Sequence, residues 1–215
     1  MVKIVRSFPA PSSLEREARK ASGSYSEKDV VERLIQDFHG KCYICEMDEL
    51  QDPQVEHLLP HKNGKYVDRK FDWNNLFLSC GHCNSVKKQQ KYDEGIIDCC
   101  KEDPEDLISF KLQAGNVLVC AKDMKNSSAI LTAELVSEVF NLKNTGMRVY
   151  KSELRLQELT FEMNKLYASI QELEKNQTSA FALRKLEVLV KRKSRFAAFK
   201  RNYVRDNYPQ YRYLL

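Results

Sequence analysis

The sequence predicts an α+β protein in which a small metal-stapled core, residues 41–92, is embedded in a mainly α-helical chain with a C-terminal helical hairpin. Three observations carry this expectation. Two Cys-x-x-Cys pairs, Cys42/Cys45 and Cys80/Cys83, lie 34 residues apart; short β-favouring runs stand near them; and from Ser127 onward apolar residues recur at helical spacing. With 215 residues, 42% hydrophobic and 30% charged, the composition is that of an ordered globular chain. No apolar run approaches the ~20 residues that span a bilayer, and the first residues lack the apolar stretch of a signal peptide, so a cytoplasmic protein without a membrane partner is expected.

Taken in order, residues 1–40 read as an N-terminal strand-like and helical segment. Pro9 and Pro11 close its first part, and Ser12 with Glu15 fits a capping box opening a short helix to about Ala21. After Gly23 and Ser24, residues Ser26 to Phe38 place Val30, Val31, Leu34, Ile35 and Phe38 on one helical stripe, with Gly40 as its stop. Within 41–92 the expected pieces are a cysteine-bearing turn, a strand near Gln54–Leu58, a loop through Gly64 and a helical turn near Tyr66–Trp73. A strand at Leu76–Ser79 and a helix from about Asn84 follow. So short and irregular a segment buries little apolar surface, and a staple is physically reasonable.

Residues 93–215 open with a hairpin, Phe110–Gln113 and Asn116–Val119 about an Ala114-Gly115 turn. Helices are expected over Ser127–Phe140, Gly146–Lys175 and Thr178–Asn207; the last two form an antiparallel hairpin turning near Asn176, and Pro209 stops the final helix. The chain's formal net charge is +5, yet residues 179–215 hold ten Lys or Arg against Glu187 and Asp206. This basic tail fits a polyanion, an acidic protein partner or a solvated helix face.

Four thiolates at x2 spacing suit one tetrahedral Zn²⁺ with no position left for water, so Cys42, Cys45, Cys80 and Cys83 are expected to hold a structural zinc. His82 reads as a bystander, and Cys99, Cys100 and Cys120 as small buried hydrophobes. Between the pairs stand Glu56, His57, Asn75 and, directly after Cys83, Asn84. Phosphodiester hydrolysis needs a base for water, a cation for the developing charge and groups that align both. His57 suits the base, and Glu56 and Asn84 offer hard oxygens to a catalytic Mg²⁺ or Mn²⁺. Asn84, Lys87, Lys88 and Lys91 would share one face of a helix begun at Asn84 and could meet phosphate. Neighbours on a regular strand face opposite ways, so Glu56 and His57 converge only if the strand ends or distorts there.

The order Cys-x-x-Cys, Glu56-His57-x-x-Pro60, Asn75-Leu76, Cys-x-x-Cys-Asn84 closely resembles the HNH endonucleases of the ββα-metal fold, over Lys41 to Lys88. The resemblance implies that Glu56 is the metal-binding acid, His57 the general base, Asn75 the brace of the base-bearing loop and Asn84 the third motif position. Glu56 stands where Asp is commoner, and Asn84 where a second His often sits. A narrower likeness includes Trp73-Asn74-Asn75-Leu76-Phe77-Leu78-Ser79-Cys80 and Arg195-Phe196-Ala197-Ala198-Phe199-Lys200-Arg201. These stretches are similar to PtuB, the HNH subunit family of Septu-type and retron-associated antiphage systems. That likeness implies cleavage of invader or host nucleic acid, with DNA the substrate expected, and a PtuA-like ATPase as partner. Leu58-Leu59-Pro60-His61 departs from the Phe-Arg-Pro-Lys of that family and leaves His61 at the lysine's place, a nucleic-acid-contact candidate. The competing class is a non-catalytic zinc-stapled module that binds nucleic acid or protein. A zinc deaminase is excluded, since no His-x-Glu element or Pro-Cys-x-x-Cys pair is present.

Overall fold

A computed structural model describes residues 1–141 and 146–215. Among the described residues the chain is a mixed α+β structure with two separate two-stranded antiparallel sheets among helices. Helix α1 (Ser12–Ala18) and helix α2 (Lys28–Asp37) come first. The capping box does not form: Ser12 lies inside α1, Pro11 is the cap residue, and the adjacent Ser13 donates its hydroxyl to Asp29 at 2.5 Å. Helix α2 buries Val30 and Leu34, with Phe38 at its cap, while Ile35 is exposed. Gly40, at φ +69°, turns the chain out of the helix in the left-handed conformation that glycine adopts without penalty.

Strand β1 (Pro53–His57) pairs antiparallel with β2 (Leu76–Cys80), setting Glu56 opposite Phe77 and His57 opposite Leu76. Every residue of β2 is buried, as its apolar run Leu76-Phe77-Leu78 requires. The connection carries the short helix α3 (Val67–Lys70) and a 3₁₀ turn at Trp73–Asn75 that Asp72 caps through the Asn74 amide. Helix α4 (Gly81–Lys87) packs on both strands. It starts three residues earlier than the sequence suggested, because Cys80 caps it through the Cys83 amide. It also ends at Lys87, so the four-residue face expected from Asn84 to Lys91 is not built.

Helix α5 (Pro104–Leu107), capped by Asp103, leads into β3 (Ile108–Gln113) and β4 (Asn116–Ala121). Ala114 and Gly115 both take positive φ, the conformation of a two-residue hairpin turn matched to strand twist. Helix α6 (Ser127–Asn141) covers β4 and touches α4, and α7 (Gly146–Lys175) runs antiparallel to α8 (Ala180–Val190). Leu159, Met163, Leu166, Ile170 and Leu173 of α7 are buried, as their spacing predicts, and Ser179 caps α8 through Ala182. Cys120 differs from expectation: it lies on the outer face of β4 and is exposed, whereas Cys99 is buried.

The single helix expected over Thr178–Asn207 is broken into α8 and α9 (Ala197–Asn207). Lys191 turns to an extended ψ and Phe196 takes a left-handed φ of 50°. Two compensations offset that cost. Phe196, Ala197, Ala198 and Phe199 enter the core, and the carbonyls of Arg192 and Ser194, freed from helix bonding, accept from the buried Lys41 ammonium at 2.6 and 2.9 Å. The break thus ties the C-terminal region to the first cysteine turn.

The basic tail is largely spent inside the molecule. Arg201 and Arg205 converge on buried Glu105, Lys200 reaches Glu162 at 2.9 Å, Arg192 meets Asp103, and Arg195 faces Asp48 and Glu158. Its charge excess mostly answers acidic residues elsewhere in the chain.

Candidate metal centre and adjoining cleft

All four sulfurs of Cys42, Cys45, Cys80 and Cys83 lie within 4.8 Å of one another, and all four residues are buried. A tetrahedron of thiolates about 2.3 Å from one ion has edges of about 3.8 Å. The Cys45–Cys80 sulfur separation of 4.0 Å fits that figure, and it is twice a disulfide length. The four sulfurs can therefore hold a metal ion such as zinc. Without a cation, burial pushes the Cys45 and Cys83 thiols well up, whereas hydrogen bonds from the other three cysteines pull Cys80 down, so Cys45 and Cys83 become thiolates only when positive charge is supplied. Part of it comes from Arg155 of α7, whose guanidinium donates to the Cys80 sulfur at 3.1 Å. His82 stays outside the cluster, its Nε2 donating to the Val139 carbonyl.

Beside this centre lies a cleft of about 290 Å³ whose lining includes Tyr25, Glu56, His57, His61, Asn84, Lys87 and Lys88. Strand β1 ends at His57, the chain swings off through Leu58-Leu59-Pro60, and both neighbours, Glu56 and His57, line the one cleft. Asn75 fixes that swing. Its side-chain oxygen accepts from the Leu59 amide at 2.8 Å, and its side-chain nitrogen donates to the carbonyls of Leu59 and Arg69, each at 2.9 Å.

His57 is held by backbone. Its Nε2 lies 3.0 Å from the Lys70 carbonyl, which can only accept, so Nε2 carries the proton and the neutral ring keeps a lone pair at Nδ1. Burial, with the Lys70 carbonyl opposing it, lowers the imidazole's pKa to about 4 and keeps it neutral near pH 7. Tyr25 and His61 set ring edges against it, with centroids at 4.5 and 4.7 Å.

Glu56 is 6% exposed and doubly engaged. Tyr43, between the first two cysteines, donates its hydroxyl to Oε2 at 2.5 Å, and the Lys87 ammonium donates to Oε1 at 2.6 Å. Burial pushes the Glu56 carboxyl up, and Lys87 and Tyr43 pull it back. Asn84 is half-buried, and no hydrogen bond of its side chain occurs among the described residues. Carboxylate and amide oxygens are the donors a hard divalent ion takes, so Glu56 and Asn84 suit Mg²⁺ or Mn²⁺ chemically, with Lys87 already on one carboxylate oxygen.

The remaining basic candidates separate. Lys87 is buried and faces inward, Lys88 is exposed at the cleft, and Lys91 lies beyond α4, bound to Glu134 and Glu138 of α6. Sequence reasoning missed Tyr43, Arg155 and the Lys70 carbonyl. Tyr43 was marked only by its place between two cysteines, and Arg155, 75 residues from Cys80, carried no local signal. No protein-family model matches the chain, and no curated protein matches it. No helix among the described residues is long and apolar enough to cross a membrane.

Proposed function

We propose that this chain is a metal-dependent HNH-type endonuclease that hydrolyses phosphodiester bonds of DNA, with a structural zinc at the four cysteines and a ββα-metal core formed by β1, β2 and α4. One observation carries the proposal: Glu56, His57 and Asn84, separated by up to 28 residues, line a single cleft beside the cysteine cluster. In it the Nδ1 lone pair of His57 takes the proton from the attacking water, while the Nε2–H bond to Lys70 steadies the imidazolium that forms. Asn75 holds the loop at the His57 end of the strand, and Tyr25 and His61 restrict the ring's rotation. Lys88, exposed at the cleft, offers a cation to the phosphate. A divalent ion on Glu56 and Asn84 would supply charge stabilisation for the leaving oxygen.

On the motif likeness alone, the proposal extends to an effector role in an antiphage complex with a PtuA-like ATPase. The second reading, a non-catalytic zinc-stapled binding module, is favoured by the engagement of both Glu56 oxygens with Lys87 and Tyr43. Supercoiled plasmid separates the two. The purified chain, with its ATPase where one is required, should nick it in Mg²⁺ or Mn²⁺ and stop in chelator, and Asn84→Ala should nick at least tenfold more slowly. Metal-independent DNA retention without nicking would favour the module.

A further inference from the structure

Lys87 is among the most deeply placed lysines of the chain: its side chain is 3% exposed and its ammonium touches three oxygens. These are Glu56 Oε1 at 2.6 Å and the carbonyls of His57 and Leu58, each at 3.0 Å. Three donors thus meet three acceptors, the full capacity of an ammonium. The bonds run from the last residue of α4 to the last residues of β1 and the first of the following loop. A cation already sits where the carboxylate would receive a metal.

We infer that Lys87 is the resident cation of Glu56, and that a divalent ion enters the cleft by displacing this ammonium from the carboxylate. The inference rests on the metal-dependent reading above. Glu56, Asn84 and Lys87 line the same cleft and the ammonium is 2.6 Å from Glu56 Oε1, so an ion held by that carboxylate would stand beside the ammonium. At such separations, away from bulk water, like charges repel strongly, and the lysine and the ion do not share the site without cost. Displacement is mechanically accessible. Lys87 is the terminal residue of α4, its stem is a flexible four-carbon chain, and the cleft of about 290 Å³ can receive the ammonium. Because the same ammonium holds the His57 and Leu58 carbonyls, metal entry also releases the strand end that bears the imidazole. Metal occupancy and placement of the base are thereby linked, and Lys87 acts as a positioning residue that keeps the cleft closed to metal until divalent concentration is high.

Two readouts independent of cleavage test this. Mn²⁺ binding to the full chain is followed by the electron paramagnetic resonance of the free ion, in wild type, Glu56→Gln, Lys87→Gln and Lys87→Arg. The expected result is Mn²⁺ binding at least tenfold tighter in Lys87→Gln, unchanged within threefold in Lys87→Arg, and lost in Glu56→Gln. Reductive methylation of the wild type, mapped by mass spectrometry, needs no variant to fold. Lys87 should be protected without divalent ion and methylated at least fivefold faster at saturating Mn²⁺. Glu56-dependent Mn²⁺ binding with Lys87 still protected, or with Lys87→Gln no tighter than wild type, overturns the displacement while leaving the metal site standing. Absence of Glu56-dependent Mn²⁺ binding in every form overturns the metal site and the displacement together.

Discussion

The imidazole of His57 shows how much backbone can decide about a side chain's chemistry. A carbonyl at Nε2 selects the tautomer, and burial keeps the ring neutral, so the lone pair at Nδ1 is available without a carboxylate to orient it. The pH consequence has a definite sign. With the folded pKa near 4 and the unfolded value near 6.5, the unfolded chain binds more protons between those limits. His57 therefore contributes its full share of stability above about pH 6.5 and loses it as pH falls through about 4. Titration of the ring by NMR in divalent-free protein should give a midpoint near 4; a midpoint at or above 6.5 would mean that the ring is solvated. That Glu56, His57 and Asn84 come to one cleft, with Asn75 bracing the loop after β1, was legible in the sequence, because polar residues recur at motif spacing beside cysteine pairs. Their partners were not. Lys87 read as a surface cation, since spacing alone cannot tell a lysine that reaches water from one whose stem is buried and whose head meets three oxygens.

Among the elements, the Ala114-Gly115 hairpin and the α7–α8 turn follow the sequence closely, since turn residues and apolar periodicity specify them locally, and β1 and β2 fall close to their expected bounds although a long connection separates them. The break between α8 and α9 does not, because it answers a distant demand. Residues 191–207 have helix-forming composition, but a continuous helix would leave Lys41 without the carbonyls of Arg192 and Ser194 and would hold Phe196 away from the core. The basic tail misled for a similar reason: charge counted along the chain is blind to acids that fold against it. Glu105 is the clearest case, 2% exposed and in contact with Arg201 and Arg205. Removing one partner of a buried pair leaves the other charge uncompensated, so Glu105→Ala should destabilise the protein by about 3–5 kcal/mol in denaturant unfolding. A loss below about 1 kcal/mol would show that these arginines reach solvent instead.

For the molecule as a whole, the cysteine cluster is where distant parts meet. Cys42 and Cys45 precede β1, Cys80 and Cys83 open α4, and Arg155 of α7 donates to a sulfur. Metal removal should therefore loosen more than one element. Before chelation only exposed Cys120, and more slowly Cys100, should react with a thiol reagent; a strong chelator should release one zinc and make four further thiols reactive. Immediate reaction of the cluster cysteines in untreated protein would refute the zinc staple. One cleft beside that cluster presents a neutral imidazole and hard oxygen donors, the combination on which the proposed hydrolysis of a phosphodiester rests.

The most direct check on that claim is the single-turnover rate of DNA cleavage in Mg²⁺ or Mn²⁺, with the ATPase where required, for wild type and His57→Gly, without and with free imidazole. His57→Gly should be roughly 10²–10⁴-fold slower, with imidazole restoring part of the loss by entering the vacated space. A His57→Gly variant that cleaves at the wild-type rate, or a wild type that never cleaves under these conditions, would contradict that claim.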